Sequence, residues 1–217
     1  MSNYEDLIDN PSPRCACILV LDISGSMDGE PIDQLNLGVQ EFVRSVQNDD
    51  LAKYSVELAI VTAGMNVEEV MPFTVAQKVD YQSHFEAGGL TPLGAAVDQA
   101  LRMLDERKED YKQTGTPYYQ PWLVMISDGA PTDNWRYVAQ KTKSLAEERK
   151  LVSLMVGVNN ADMDILGEFS NRPALKLQGL NFSDFFEWLS ASMSRVSASS
   201  STAATTNLPS VSSWASI

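Results

Sequence analysis

Three short polar segments of the chain carry the side chains best suited to binding a metal ion. They are Asp22-Ile23-Ser24-Gly25-Ser26, Gly88-Gly89-Leu90-Thr91-Pro92 and Asp128-Gly129. Each supplies carboxylate or hydroxyl oxygens, and none supplies an imidazole or a thiolate. Hard oxygen ligands of this kind suit Mg²⁺ or Mn²⁺ rather than zinc or copper. The sequence therefore predicts a site for a hard divalent cation, provided that the fold brings the three segments together.

The spacing within the first segment favours a shared direction for its side chains. In Asp22-x-Ser24-x-Ser26, alternate residues can point the same way as a strand opens into a loop, and Gly25 lets the backbone turn sharply. Two carboxylates, those of Asp22 and Asp128, would leave a dication nearly neutral. Because Mg²⁺ prefers about six oxygens and keeps waters where protein ligands run out, we expect one coordination position to be open to an acidic group from outside.

Apolar runs alternate with helical stripes along the chain, and this alternation predicts the fold class. We expect six strands, at residues 15–21, 54–62, 67–73, 122–127, 151–158 and 174–177. A short turn at 63–65 makes the second and third strands an antiparallel hairpin. Amphipathic helices follow the strands, and the charged run at 106–110 is expected to be a solvated helix face. The prediction is a doubly wound α/β fold with a mostly parallel sheet, helices on both faces and the polar segments at the carboxyl ends of strands, where such sheets bind ligands.

The order of the polar residues resembles a known metal site. Asp22-Ile23-Ser24-Gly25-Ser26, followed by Thr91 and Asp128-Gly129 at later strand ends, is similar to the metal-ion-dependent adhesion site of the von Willebrand factor type A (vWA) domain. The resemblance covers residues 14–196. It implies a six-stranded, Rossmann-like sheet in which one short edge strand is antiparallel, matching the hairpin at 67–73.

The resemblance also implies a role for each residue of the site. Ser24 and Ser26 would bind the metal directly, Asp22 and Asp128 would act mainly through water, and Thr91 would bind directly once a ligand is engaged. The metal would be Mg²⁺ or Mn²⁺, with Ca²⁺ as a third candidate. The ligand would be an Asp or Glu of another protein, and we expect the rim that contacts this partner to include Met27, Asp28, Pro92 and Gly129.

Two further stretches resemble a narrower group within the family. Gly29-Glu30-Pro31-Ile32 through Gly38-Val39-Gln40, and the closing Trp214-Ala215-Ser216-Ile217, are similar to the small stand-alone bacterial vWA proteins of the tellurite-resistance (TerY-like) type. This resemblance implies an adaptor in a bacterial stress-resistance or defence system. Its partner would be a kinase or phosphatase of the same system.

Two other functions are consistent with parts of the sequence. In a haloacid-dehalogenase-type phosphatase, Asp22 would accept a phosphoryl group. Such enzymes need an acid two residues later, where this chain has Ser24, and a Lys, which is absent from the loops of Thr91 and Asp128. A nucleotide-binding GxxxxGK[ST] loop is also absent from the sequence. We therefore predict that the chain is not an enzyme, and we keep a metal-independent scaffold, docking through its acidic surface and its C-terminal tail, as the second alternative.

The composition excludes some partners and compartments. The 217 residues include 16 Lys and Arg against 29 Asp and Glu, a formal net charge of -13. This charge argues against nucleic acid as a partner, because phosphates would be repelled. No signal peptide is recognisable at the start, and no apolar run approaches the roughly 20 residues of a membrane span. We expect a cytoplasmic protein with no membrane contact, whose Cys15 and Cys17 are reduced core residues.

The chain divides into three regions by composition. We expect an N-terminal arm at 1–12, a vWA domain at 13–197 and a C-terminal tail at 198–217. The tail is rich in Ser, Thr and Ala and has no charged residue, which is typical of a flexible segment. It ends with the apolar residues Leu208, Val211, Trp214 and Ile217. The tail therefore either folds back on the domain or docks into a partner, and the sequence does not decide between these alternatives.

Overall fold

The computed structural model describes residues 4–82, 84–203, 206–211 and 215–216. The strands are β1 Cys15–Asp22, β2 Val56–Ala63, β3 Val67–Val75, β4 Trp122–Ser127, β5 Val152–Gly157, β6 Leu175–Leu177 and β7 Ala215–Ser216. The helices are α1 Tyr4–Asp9, α2 Glu30–Asn48, α3 Ala52–Ser55, α4 Leu93–Thr114, α5 Arg136–Glu147, α6 Met163–Gly167 and α7 Phe182–Ser197, with short 3₁₀ turns at Gly25–Met27 and Ala76–Lys78. Within these described ranges, no helix is long and apolar enough to cross a membrane.

The strands form one sheet in the order β3-β2-β1-β4-β5-β6-β7. The central strand β1 pairs in parallel with both β2 and β4. At one edge, β3 pairs antiparallel with β2 through the predicted hairpin. The predicted doubly wound α/β fold, with a mostly parallel sheet and an antiparallel edge strand, is confirmed, and all six predicted strands are present. The tail adds the two-residue strand β7, antiparallel to β6.

Alternation along β1 divides the apolar core between the two faces of the sheet. Cys15, Cys17, Leu19 and Leu21 pack with α2 and α7 on one face, while the intervening residues of β1 pack with α4 and α5 on the other. Both cysteines are free and fully buried, as predicted. Burial raises the pKa of Cys15 to about 12 and that of Cys17 well above its ordinary value.

A buried charge cluster ties β2 to the last turns of α4. The carboxylate of Glu57 accepts hydrogen bonds from Nε and Nη2 of Arg107, at 2.6 and 2.8 Å, and from the hydroxyl of Tyr111 at 2.5 Å. Nε of Arg14 lies 3.4 Å from the same carboxylate. The expectation of a fully solvated face at 106–110 is therefore wrong for Arg107, whose side chain is 6% exposed because it neutralises a fully buried acid.

The described part of the tail packs on its own domain. Leu208 and Val211 contact the core on the α2 and α7 side of the sheet. The indole Nε1 of Trp188, in α7, donates a hydrogen bond to the carbonyl of Pro209 at 2.9 Å. Together with the pairing of β7 and β6, these contacts favour the first of the two alternatives for the tail. Trp214 and Ile217 lie outside the described residues.

Candidate metal centre

The first segment of the site begins at the last residue of β1. The carboxylate of Asp22 is fully buried and accepts a hydrogen bond from the backbone N–H of Ser24 at 2.9 Å. This contact bends the chain at the start of the 3₁₀ turn Gly25–Met27. The bend leaves the Oγ atoms of Ser24 and Ser26 3.1 Å apart. Alternate side chains of this segment therefore do share one direction, as the spacing predicts.

The turn does not require glycine at position 25. Gly25 does not have a positive φ. A Cβ built on it would meet only the carbonyl oxygen of Gly89, at the ordinary contact distance of 3.6 Å. The expectation that Gly25 supplies conformational freedom is wrong, because the backbone there is one that a residue with a side chain could adopt.

The third segment joins the first through direct hydrogen bonds. The hydroxyl of Ser26 donates to Oδ1 of Asp128 at 2.7 Å. One residue earlier, at the end of β4, the hydroxyl of Ser127 donates to Oδ2 of Asp22 at 2.5 Å. Because β1 and β4 are parallel neighbours in the sheet, their carboxyl ends bring both carboxylates to the same edge. The structure thus joins Asp22, Ser24, Ser26 and Asp128 in one cluster.

The loop before α4 carries Thr91 to the same place. The N–H of Gly88 donates to the carbonyl of Ile23 at 2.8 Å, and the N–H of Gly25 donates to the carbonyl of Gly89 at 3.2 Å. Gly89 has a φ of +80°, and a Cβ on it would lie 2.4 Å from the backbone of Met65, so this position does require glycine. The loop is therefore fastened both to the first segment and to the β2–β3 turn.

The hydroxyl of Thr91 faces the two carboxylate segments. A Cβ placed on Gly129 would lie 3.7 Å from Oγ1 of Thr91 and 4.0 Å from Oδ2 of Asp22, so both oxygens lie next to Gly129. The hydroxyl of Thr132 accepts the backbone N–H of Thr91 at 3.1 Å. All five residues that the sequence singles out as candidate ligands therefore meet at one edge of the sheet.

Two carboxylates, those of Asp22 and Asp128, carry the charge of the site. In the described part of the chain, no Lys or Arg forms an ion pair with Asp22 or Asp128. Burial raises the pKa of Asp22, hydrogen bonds from Ser127 and Ser24 partly offset this effect, and the negative charge of Asp128 raises the pKa further. Among the described residues there is also no cluster of three or more His, Cys, Asp or Glu side chains. The donor set is thus two carboxylates and several hydroxyls, which fits a hard dication and not a soft metal.

The expected rim of the site is only partly at the surface. Asp28 is exposed, and Pro92 and Gly129 are half-buried. The side chain of Met27 is 0% exposed in the core beside α2, so it offers no surface to a partner, and its assignment to the rim does not fit the structure. Two residues not expected there are instead exposed beside the site, Met65 at 81% and Leu90 at 69%.

Three polar residues support the site without belonging to the predicted set of ligands. The hydroxyl of Ser127 donates a hydrogen bond to Asp22, and the hydroxyl of Thr132 accepts one from the backbone N–H of Thr91. The two oxygens of Asp133 accept the N–H groups of Gly94 and Ala95 at 3.0 and 2.7 Å, which fixes the start of α4 directly after the Thr91 loop. Ser127 carries a usable signal, since it is a polar residue at the end of an otherwise apolar strand.

Comparison with known proteins identifies the family. A model of the von Willebrand factor type A domain matches residues 17–189. A search of curated proteins found no match.

Solved structures with the same fold differ widely in sequence. Proximal thread matrix protein 1 from the mussel byssus has a TM-score of 0.60 at 13% identity, over 85% of this chain and 49% of that one. The pilus adhesin SpaC from Lactobacillus rhamnosus GG, in its open conformation, has a TM-score of 0.67 at 15% identity, over 85% of this chain and 30% of that one. Manganese-loaded Plasmodium vivax TRAP protein has a TM-score of 0.54 at 19% identity, over 74% of this chain and 64% of that one. The chain thus spans about half the length of the mussel protein and about a third of the adhesin.

The family match, which covers most of the sequence, shows that this chain belongs to the von Willebrand factor type A domain family.

Proposed function

We propose that the chain is a metal-dependent protein-interaction module. One Mg²⁺ or Mn²⁺, with Ca²⁺ as a third candidate, would be held by Asp22, Ser24, Ser26, Thr91 and Asp128. The remaining coordination position would bind the carboxylate of an Asp or Glu on a partner protein. The observation that carries this proposal is the meeting of two carboxylates and three hydroxyls at one edge of the sheet, where no Lys or Arg of the described residues pairs with either carboxylate.

The spacing of the oxygens supports direct binding by the two serines. Neighbouring ligands in an octahedron with metal–oxygen distances of roughly 2.1 Å lie about 3 Å apart. The Oγ atoms of Ser24 and Ser26 are 3.1 Å apart, and Oγ of Ser26 lies 2.7 Å from Oδ1 of Asp128. These distances let the hydroxyls occupy neighbouring positions without a change in backbone conformation.

The negative charges of Asp22, which is buried, and Asp128, which is half-buried, explain why the site would bind first a cation and then an acidic side chain. A bound dication supplies positive charge that Asp22 and Asp128 together just neutralise, so a further carboxylate from a partner is not repelled as it would be by the bare site. The hydroxyls of Ser24 and Ser26 carry no charge, so they can bind the metal without adding to the repulsion of a partner's carboxylate. Manganese in the TRAP structure is consistent with divalent metal binding in the family.

The partner would contact a surface that is part polar and part apolar. Asp28, Pro92 and Gly129 border the open side of the site, and the exposed side chains of Met65 and Leu90 lie beside it. A partner segment that presents an acidic residue next to apolar residues would suit this surface, because burying Met65 and Leu90 adds affinity to the metal contact.

The biological setting is proposed from the sequence resemblance alone. We place the chain with the TerY-like bacterial vWA proteins, as a cytoplasmic adaptor whose partner is a kinase or phosphatase. Two of the structural neighbours named above are a matrix protein of the mussel byssus and a pilus adhesin. The phosphatase alternative is weak because Ser24 stands where that chemistry needs an acid. Against the metal-independent scaffold, the described residues 206–211 and 215–216 of the tail pack on the domain and are not free to dock into a partner.

Partner capture in the presence and absence of metal tests the proposal. The immobilised chain is exposed to native lysate with Mg²⁺ or with EDTA, in parallel with the variants Thr91→Ala and Thr74→Ala. Thr74 is a matched control, since its hydroxyl donates to the carbonyl of Pro72 on β3 and bonds to no other described residue. We expect capture with Mg²⁺ only, a loss in Thr91→Ala that exceeds its loss of metal affinity, and no loss in Thr74→Ala. Identical capture with EDTA would favour the metal-independent scaffold.

A further inference from the structure

A groove of about 840 Å³ lies at the edge of the sheet opposite the metal centre. Its floor includes Trp122 and Val152, the first residues of β4 and β5, whereas Asp128 follows the other end of β4. One wall is formed by the last turns of α4 and by the residues that follow α5. Another wall is formed by tail residues, among them Thr206 and Leu208. The groove is therefore separate from the proposed metal centre.

The charged residues that line the groove are all basic. They are Lys108, Lys112, Arg149, Lys150 and Arg172. No acidic side chain lines it among the described residues, although the chain as a whole has 29 acidic residues against 16 basic ones. The groove is thus a positively charged region on a protein whose net charge is strongly negative. An anion that enters it meets a local charge opposite to the net charge of the molecule.

The basic residues differ in how far they are already neutralised. Each lysine forms an ion pair with a carboxylate that does not line the groove: Lys108 with Asp105 at 2.7 Å, Lys112 with Glu109 at 3.3 Å and Lys150 with Glu148 at 2.6 Å. Surface pairs of this kind contribute little to stability and can be exchanged for a ligand. The guanidinium groups of Arg149 and Arg172 form no ion pair or hydrogen bond with any described residue, so both are available; the one side-chain hydrogen bond of Arg172 is made by its backbone N–H, which donates to Oγ of Ser170 at 3.2 Å.

The two arginines come from separate segments that are held together. The side-chain amide of Asn171 donates to the carbonyl of Ala146 at 3.3 Å, which joins the loop before β6 to the last turn of α5. Lys112 and Arg149 lie at helix ends, where a cation also interacts favourably with the helix dipole. Arg172 lies in the loop before β6 and not at a helix end, so the helix dipole does not account for its position in the groove.

We propose that this groove binds a small ligand that carries two or more phosphate groups. Guanidinium groups bind phosphate oxygens through paired hydrogen bonds, and lysines add positive charge around them. Several cations in one groove would be better matched by phosphate groups than by single carboxylates. The volume is within the range of small-molecule sites, which favours a small ligand over a protein segment.

Calorimetric titration of the full chain with inorganic pyrophosphate tests this proposal. The buffer contains no divalent cation, so that phosphate cannot bind through a metal ion at the other edge of the sheet. The double variant Arg149→Gln, Arg172→Gln removes the two free guanidinium groups. The matched control is Arg44→Gln, Lys143→Gln, which removes the same charge from exposed positions outside the groove.

We expect pyrophosphate to bind the natural chain, with an affinity that falls as salt is added. The groove variant should bind at least about tenfold more weakly, and the control within about twofold of the natural chain. Absence of binding, or equal weakening in both double variants, would overturn the proposal. So would a short polyglutamate peptide that binds as tightly as pyrophosphate, because the groove would then recognise an acidic protein segment.

Discussion

The substitution Asp22→Asn separates the role of this carboxylate in metal binding from its role in the fold. Without metal, the carboxylate is buried near Asp128, and burial raises its pKa, which means that the folded chain disfavours the charged form. Asparagine has nearly the same size and can still accept the backbone N–H of Ser24. It weakens the hydrogen bonds that the carboxylate accepts from the side chains of Ser127 and Ser24, which contribute about 1 kcal/mol each. Since the cost of burying a charge is removed at the same time, we expect the metal-free free energy of unfolding to change by no more than about 1 kcal/mol.

With metal, the two chains should differ clearly. A ligand at a hundredfold excess over its Kd stabilises the folded state by about 2.7 kcal/mol. For a chain of 217 residues this corresponds to a rise in Tm of about 5–10 °C. The natural chain should show this rise on addition of Mg²⁺ or Mn²⁺, and Asp22→Asn should show little of it, because the neutral amide no longer balances the dication.

Thermal and urea unfolding, each with excess Mg²⁺ and with EDTA, measure both effects. The control is Asp98→Asn on α4, which removes an exposed carboxylate paired with Arg102 and should respond to metal as the natural chain does. The reasoning would be refuted if Asp22→Asn were stabilised by metal as strongly as the natural chain. It would also be refuted if Asp22→Asn lowered the free energy of unfolding without metal by several kcal/mol. Asp22 would then stabilise the fold itself, independently of any cation.

Three further predictions concern the rest of the fold. Glu57→Gln removes the buried carboxylate that pairs with Arg107 and Arg14, leaves Arg107 with its longer contact to Asp110 at 3.3 Å, and should cost about 3–5 kcal/mol in urea unfolding; a loss below 1 kcal/mol would mean that water reaches the cluster. Cys15 and Cys17 should not react with a thiol reagent at neutral pH in the folded chain, since burial raises both pKa values; rapid labelling would contradict the buried placement. Deleting residues 206–217 should lower the free energy of unfolding by about 1–3 kcal/mol through lost apolar burial and one hydrogen bond; an unchanged Tm would show that the tail contributes nothing to stability.

Much of the fold could be predicted because it depends on local patterns. The continuous apolar runs of β1 and β4 indicate strands covered on both faces, and the short turn after Ala63 indicates the hairpin. The sequence also identified the five candidate ligands, because oxygen-bearing residues follow the carboxyl ends of strands that a parallel sheet brings to one edge. These inferences need only periodicity and a topological rule.

The features that were missed depend on contacts between distant parts of the chain. Arg107 lies in a charged run typical of a solvated helix, and only the approach of Glu57 on β2 makes its burial favourable. Asp133 immediately precedes the segment that leads into α5, yet its carboxylate caps α4. Met27 is buried because the 3₁₀ turn directs its side chain inward, although it follows an exposed serine. No local pattern distinguishes these cases.

The central claim is that three loops bind a single hard cation and leave one position for the carboxylate of another protein. Anomalous scattering from crystals grown with Mn²⁺ tests it most directly, since the method locates the ion itself. The account predicts one strong peak within roughly 2–2.5 Å of the hydroxyls of Ser24 and Ser26, close to Thr91 and Asp128. A peak elsewhere on the chain, or no peak at saturating Mn²⁺, would contradict it.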